Sequence, residues 1–140
     1  MKITRFDHIT IAVRDLDEAA EKYSKALNLP AKDRRKVKHL GMENIFFPLG
    51  DGAIELVAPL KEPDAADHVQ RFLDRHGEGM MNLCLTVENI QEAIAHLETC
   101  GLRVIRHKDA DGAPIAMIHP KDMNGVMIEI REGKRIIRED

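Results

Sequence analysis

The sequence predicts an α+β fold built from two copies of one βαβββ unit. Three observations carry that expectation. A strand-like alternation over residues 3–13 leads into a helical pattern and then three more strand-like stretches. The same succession returns after residue 80. The two successions superpose under one shift of 74 residues, at both of their ends. A half with one helix and four strands covers only one face of its own sheet, so pairing the halves is the natural way to close a core.

The elements follow in order. In the first strand Ile9, Ile11 and Val13 share one face, and His8, Thr10 and Ala12 share the other. Asp15 offers a helix N-cap with Glu18 three residues on, a capping-box-like start. The helix runs from Leu16 to Leu27 and stops near Asn28-Leu29-Pro30. Strands are expected over Arg34–Leu40, Glu43–Leu49 and Ala53–Pro59, punctuated by Gly41 and the Gly50-Asp51-Gly52 turn. A polar connector containing Pro63 follows, and a short helix from Asp67 to His76 ends at Gly77. The second unit has a strand at Met81–Val87 and a helix at Asn89–Cys100. Its remaining strands fall near Val104–His107, Ile115–His119 and Val126–Arg131. The chain is thus expected to be a single domain, with module 1 over about 1–60, a connector over 61–77, module 2 over about 78–131 and a charged tail over 132–140.

The shift of 74 puts Asp7-His8-Ile9-Thr10-Ile11-Ala12-Val13 onto Met81-Asn82-Leu83-Cys84-Leu85-Thr86-Val87. Asp15 falls on Asn89, Glu18 on Glu92, and Ile54-Glu55-Leu56 on Ile128-Glu129-Ile130.

Composition narrows the function. The 140 residues carry a net charge of −3, which gives no reason to expect nucleic acid as a partner. Cys84 and Cys100 are too few for a disulfide framework, so free thiols are expected. The N-terminal stretch has no apolar signal core, and no window reaches the roughly 18 apolar residues of a membrane span. A soluble cytoplasmic protein with no membrane partner is expected.

One polar set stands out. Glu55 and Glu129 each interrupt an apolar strand, and a carboxylate is costly to bury without a partner. Taken singly, each would ordinarily be a solvated residue on a wet face. Their symmetric placement, with His8 and Asn82 at another equivalent pair, points instead to a shared pocket. Histidine and carboxylate ligands suit a divalent transition metal.

At these residues the sequence resembles the vicinal-oxygen-chelate superfamily (glyoxalase/bleomycin resistance/dioxygenase), most closely the methylmalonyl-CoA epimerase family. Residues 7–19, Ile54 to Leu60, Phe72 to Gly79, His119-Pro120-Lys121 and Gly125 to Glu129 carry the resemblance. It implies two modules forming one eight-stranded curved sheet around a central cavity with a metal, and a homodimer. It implies metal ligands at His8, Glu55, Asn82 and Glu129, with Co, Mn, Ni, Zn or Mg as the divalent ion. The family has His at the position of Asn82, and a catalytic Glu where this chain has His39.

The chemistry so implied is proton abstraction α to a thioester carbonyl, an isomerase activity on a small molecule such as an acyl-CoA. Glu129 would be ligand and base, and His39 the base on the opposite face, since an imidazole suits proton transfer near neutral pH. An amide at residue 82 is a neutral, harder ligand and tilts the site toward oxygen-preferring ions. Residues 32–38 are cationic; they read as a solvated edge strand or as a handle for phosphates, and Lys121 carries the same suggestion of substrate binding. Cys84 reads as a small buried thiol. The alternatives are a glyoxalase I-like lyase, which Glu55 suits, or a non-catalytic binding protein, which the scarcity of aromatic residues disfavours.

Overall fold

A computed structural model describes residues 1–133. Its elements are β1 (Ile3–Ala12), α1 (Leu16–Leu27), β2 (Lys32–Val37), β3 (Met42–Leu49), β4 (Gly52–Pro59), α2 (His68–His76), β5 (Gly79–Val87), α3 (Ile90–Thr99), β6 (Val104–Lys108), β7 (Pro114–Ile118) and β8 (Met127–Glu132). The α+β class and the eight-stranded sheet expected from the sequence are both present. The strands follow the order β2-β3-β4-β1-β5-β8-β7-β6. The sheet is mixed: β5 and β8 are parallel, while β2–β3, β3–β4, β6–β7 and β7–β8 are antiparallel. The expected charged tail lies, beyond Gly133, outside the described residues.

Two compact units divide the described residues: Ile9–Met81, and Met1–His8 with the described residues from Asn82 onward. The boundary cuts β1 after His8, so the first strand belongs partly to each.

In the first of these units, Asp15 caps α1 by accepting a hydrogen bond from the Glu18 N–H at 3.0 Å. Asn28 ends the helix in the left-handed region. Leu16, Ala19, Ala20 and Tyr23 turn toward Ile45, Phe47, Leu56 and Ala58 of β3 and β4. The alternate residue, Val57, faces the other way and packs with Ala12 under Val69 and Leu73 of α2. Side chains of that size contribute about 1.5–3 kcal/mol each when fully buried. The two helices therefore clamp β4 from opposite faces, and Glu55 lies on the α2 side, with Val57.

The second unit repeats the device. Asn89 accepts from the Glu92 N–H at 2.9 Å, and Ile90, Ala93, Ile94 and Leu97 of α3 cover Val87, Ala116, Ile118 and Ile130. Glu129 alternates with Ile128 and Ile130, so its side chain leaves the sheet on the face away from α3.

One expectation is corrected. Strand β2 ends at Val37, and Lys38–Leu40 form a 3-10 turn rather than more strand. Gly41, at φ +64°, donates to the Lys38 carbonyl at 3.0 Å and closes the hairpin into β3. The Ala66 N–H donates to the same carbonyl at 3.1 Å, so the connector leading to α2 is strapped against this turn.

Candidate functional site

In the unit of Ile9–Met81, Glu55 is buried and its charge is met by two side chains. Thr10 Oγ1 donates to Oε1 at 2.6 Å, and Asn44 Nδ2 donates to Oε2 at 2.8 Å. The register supplies both: Phe46 stands opposite Glu55 and Asn44 opposite Val57, so Asn44 falls on the Glu55 face. Two hydrogen bonds to an ionised acceptor offset much of the cost of taking it out of water.

In the other unit, His8 is fully buried with Nδ1 2.7 Å from Oδ2 of Asp7, itself buried. Arg5 Nη1 holds the second Asp7 oxygen at 2.6 Å. Burial pushes the Asp7 carboxyl up, but the His8 ring and the Arg5 guanidinium outweigh it and hold the carboxyl below its ordinary range. Cys84 stands opposite Glu129 in the β5–β8 register, and Asn82 two pairs away on the same face, opposite Met127. Burial, and then the Glu129 carboxylate, push the Cys84 thiol well above its ordinary pKa. Arg131, two residues beyond Glu129 on the same face, lies 3.4 Å from Glu129 Oε2 and 3.5 Å from Asp109 Oδ2. Burial works against its charge, yet Glu129, followed by Cys84 and Asp109, holds its pKa above the ordinary value.

His8, Asn82 and Glu129 thus belong to one compact unit, all three buried, while Glu55 belongs to the other. His39 is exposed in the Lys38–Leu40 turn, not within a strand as expected. Lys121 is exposed in a 3-10 turn, Pro120–Asp122, where its N–H donates to His119 Nδ1 at 3.1 Å. The cationic run is an edge strand by the sheet order, and its charges are partly paired: Arg34 with Asp17 and Glu43, and Lys36 with Glu62 at 3.3 Å.

The residues fit a divalent cation. A carboxylate behind an imidazole, as in Asp7–His8, fixes the ring and its tautomer in the way metal-bound histidines need. Asp7, His8 and Cys84 each offer a ligand atom, all within 4.8 Å of one another. Asn82 Nδ2 is buried with no hydrogen-bond partner among the described residues. A ligand oxygen would satisfy it, and a half-turn of the amide would present Oδ1 to an ion.

Sequence reasoning missed Asp7, Thr10, Asn44, Arg131 and Asp109 as parts of these arrangements. Arg131 and Thr10 carry a signal, because each is two residues from a chosen site residue and so on its face. Asn44 becomes visible only with the β3–β4 register, and Asp109 only with the fold.

An eight-stranded mixed sheet flanked by helices, with these buried carboxylates and His8, defines the class. The chain belongs to the Glyoxalase/Bleomycin resistance protein/Dioxygenase superfamily, whose family model matches residues 7–117. Its relatives include the ethylmalonyl-CoA/methylmalonyl-CoA epimerase of Cereibacter sphaeroides, 33% identical over 135 residues, which cover 93% of this chain and 98% of that protein. The mitochondrial methylmalonyl-CoA epimerase of Homo sapiens is 30% identical over 132 residues, covering 91% of this chain and 73% of that one. Among solved structures, the methylmalonyl-CoA epimerase of Mycobacterium tuberculosis has a TM-score of 0.82 and 30% identity, covering 94% of this chain and 89% of that one. A Streptomyces coelicolor methylmalonyl-CoA epimerase in complex with 2-nitronate-propionyl-CoA has a TM-score of 0.84 and 25% identity, covering 94% and 99%. Among the described residues no helix is long and apolar enough to cross a membrane.

Proposed function

We propose that this chain is a metal-dependent epimerase that moves a proton α to the carbonyl of an acyl-CoA thioester, as its relatives' names suggest. The observation that carries the reading is the buried Glu129 carboxylate, in one unit with a buried histidine whose ring is pinned by Asp7. His8, Asn82 and Glu129 would hold the divalent ion; Glu55 joins them as fourth ligand on the 74-residue shift. When bound, the ion supplies Lewis-acid stabilisation of the charge that builds on the thioester oxygen. Glu129 takes the α-proton from one face of the substrate. His39, on its exposed turn, delivers a proton to the other. Arg131 keeps the Glu129 carboxylate oriented between turnovers. Lys121 and the cationic β2 edge serve the phosphates of the coenzyme. The working form is a cytoplasmic homodimer.

The test is deuterium incorporation from heavy water into each enantiomer of a 2-methyl acyl-CoA by the metal-loaded protein. Exchange at the α-carbon supports the reading. Absence of exchange, with turnover of a glutathione hemithioacetal instead, would favour the glyoxalase-like alternative that the cradled Glu55 also suits.

A further inference from the structure

The geometry points to Cys84 as a metal ligand of this chain, a thiolate that makes good the imidazole missing at residue 82 and turns the site toward zinc- and cobalt-like ions. The inference rests on the proposed ion being held near His8 and Glu129, and it names a donor absent from that set.

Three observations meet at the Cys84 sulfur. Its ligand atom, one of His8 and one of Asp7 lie within 4.8 Å of one another, and all three residues are buried. Glu129 stands directly opposite Cys84 in the parallel β5–β8 pair, whereas Asn82 is two pairs away. An ion shared by His8 and Glu129 therefore meets Sγ more directly than the short amide of Asn82. The Asn82 amide, as placed, buries an unpartnered Nδ2 donor rather than presenting a lone pair. Ligands on one tetrahedral ion stand about 3.5 Å apart, given metal–sulfur and metal–nitrogen bonds near 2.3 and 2.0 Å. The ligand atoms already lie within 4.8 Å of one another, so modest side-chain shifts bring sulfur and imidazole onto one ion. Asp7 stays behind His8 as the group that orients it. On binding, the Sγ–H bond breaks, its proton passes to solvent, and the Sγ–metal bond forms. Thiolate donors select zinc- and cobalt-like ions over magnesium, whereas amide and carboxylate oxygens alone do the reverse.

The probe is Co(II), titrated into the full chain carrying Cys100→Ser. That substitution removes the exposed thiol, which lies 3.7 Å from His96 Nε2 and is itself a possible cobalt ligand. Cys84 is then the sole thiol in the chain. The expected result is a sulfur-to-cobalt charge-transfer band in the near ultraviolet, saturating at one equivalent. Adding Cys84→Ser or Cys84→Ala should abolish the band and weaken cobalt binding by about ten-fold or more. Cobalt bound at one equivalent without the band would overturn the role of Cys84 and leave the metal-dependent reading standing. No cobalt bound to the folded protein would overturn both.

Discussion

Oδ2 of Asp7 lies 2.7 Å from Nδ1 of His8, and neighbours in sequence are buried together at the end of one unit's share of β1. Adjacent residues of a strand ordinarily point to opposite faces, so the two side chains meet beside the strand, and the carboxylate fixes the ring. Losing such a partner typically lowers metal affinity about 10–100-fold. Asp7→Asn should do so in a competition titration against a chelator, with His8→Ala weaker still. Unchanged affinity in Asp7→Asn would mean that the ring is oriented by other groups.

The same pair sets an acid dependence. Burial raises the Asp7 carboxyl, but His8 and Arg5 more than offset it, so its folded pKa lies below the ordinary 3.8. A carboxyl depressed on folding stabilises the folded chain above its unfolded pKa, and that contribution is lost as the pH falls through the folded value. Urea midpoints of wild type and Asp7→Asn should therefore differ at neutral pH, with the gap shrinking as the pH falls below the ordinary 3.8 toward the folded value. A gap that stays constant down to pH 2 would show that the difference has nothing to do with Asp7 ionisation.

Glu129→Gln should abolish most α-proton exchange while leaving the fold intact. Glutamine keeps the size and an oxygen for the ion, but it accepts no proton at neutral pH. General-base catalysis contributes about 10²–10⁴-fold, and a loss in that range is expected in the deuterium assay. His39→Ala should slow exchange into one enantiomer only. Wild-type exchange in Glu129→Gln would make Glu129 structural.

What the sequence made legible was whatever repeats or alternates. The caps at Asp15 and Asn89 both bond the N–H of a glutamate three residues on, as the shift of 74 requires. Glu55 and Glu129 stood out because each breaks an apolar run, and both are buried. Contacts made across strands were not legible. Asn44 reaches Glu55 only because Phe46 happens to face it, and Cys84 meets Glu129 only through the β5–β8 register. The sequence pattern carries the strand on through Lys38–Leu40, because what turns the chain there, the Ala66 backbone, lies 25 residues beyond Gly41.

The Glu55 cradle should be cooperative. Removing one donor leaves a buried carboxylate oxygen short of a hydrogen bond, at a cost of about 1–3 kcal/mol. Thr10→Val and Asn44→Leu should each lower the urea midpoint by that order. The double variant should differ from the sum, because both donors serve one carboxylate. If Glu55→Gln in either background recovers nothing, the charge on Glu55 is not what the donors serve.

Gly41 offers the sharpest test of how the His39 turn is held. It adopts φ +64°, and a Cβ built there would stand 1.9 Å from the Ala66 carbonyl oxygen, a backbone atom that cannot swing aside. Gly50 has a similar φ of +57° with nothing within 4 Å of its would-be Cβ, so it separates the two costs. Gly50→Ala should carry only the left-handed penalty of about 1–2 kcal/mol. Gly41→Ala carries that penalty and must also push the connector off the turn, breaking the Ala66 N–H to Lys38 carbonyl bond and the Leu60 N–H to Gly41 carbonyl bond, at 3.1 Å each. Its midpoint should fall well below that of Gly50→Ala. Because the displaced turn carries His39 and the displaced strap leads into α2, any Gly41→Ala protein that still folds should lose exchange into the same enantiomer that His39→Ala affects. Equal midpoints for the two alanine variants would mean that the strap yields freely and does not hold the turn.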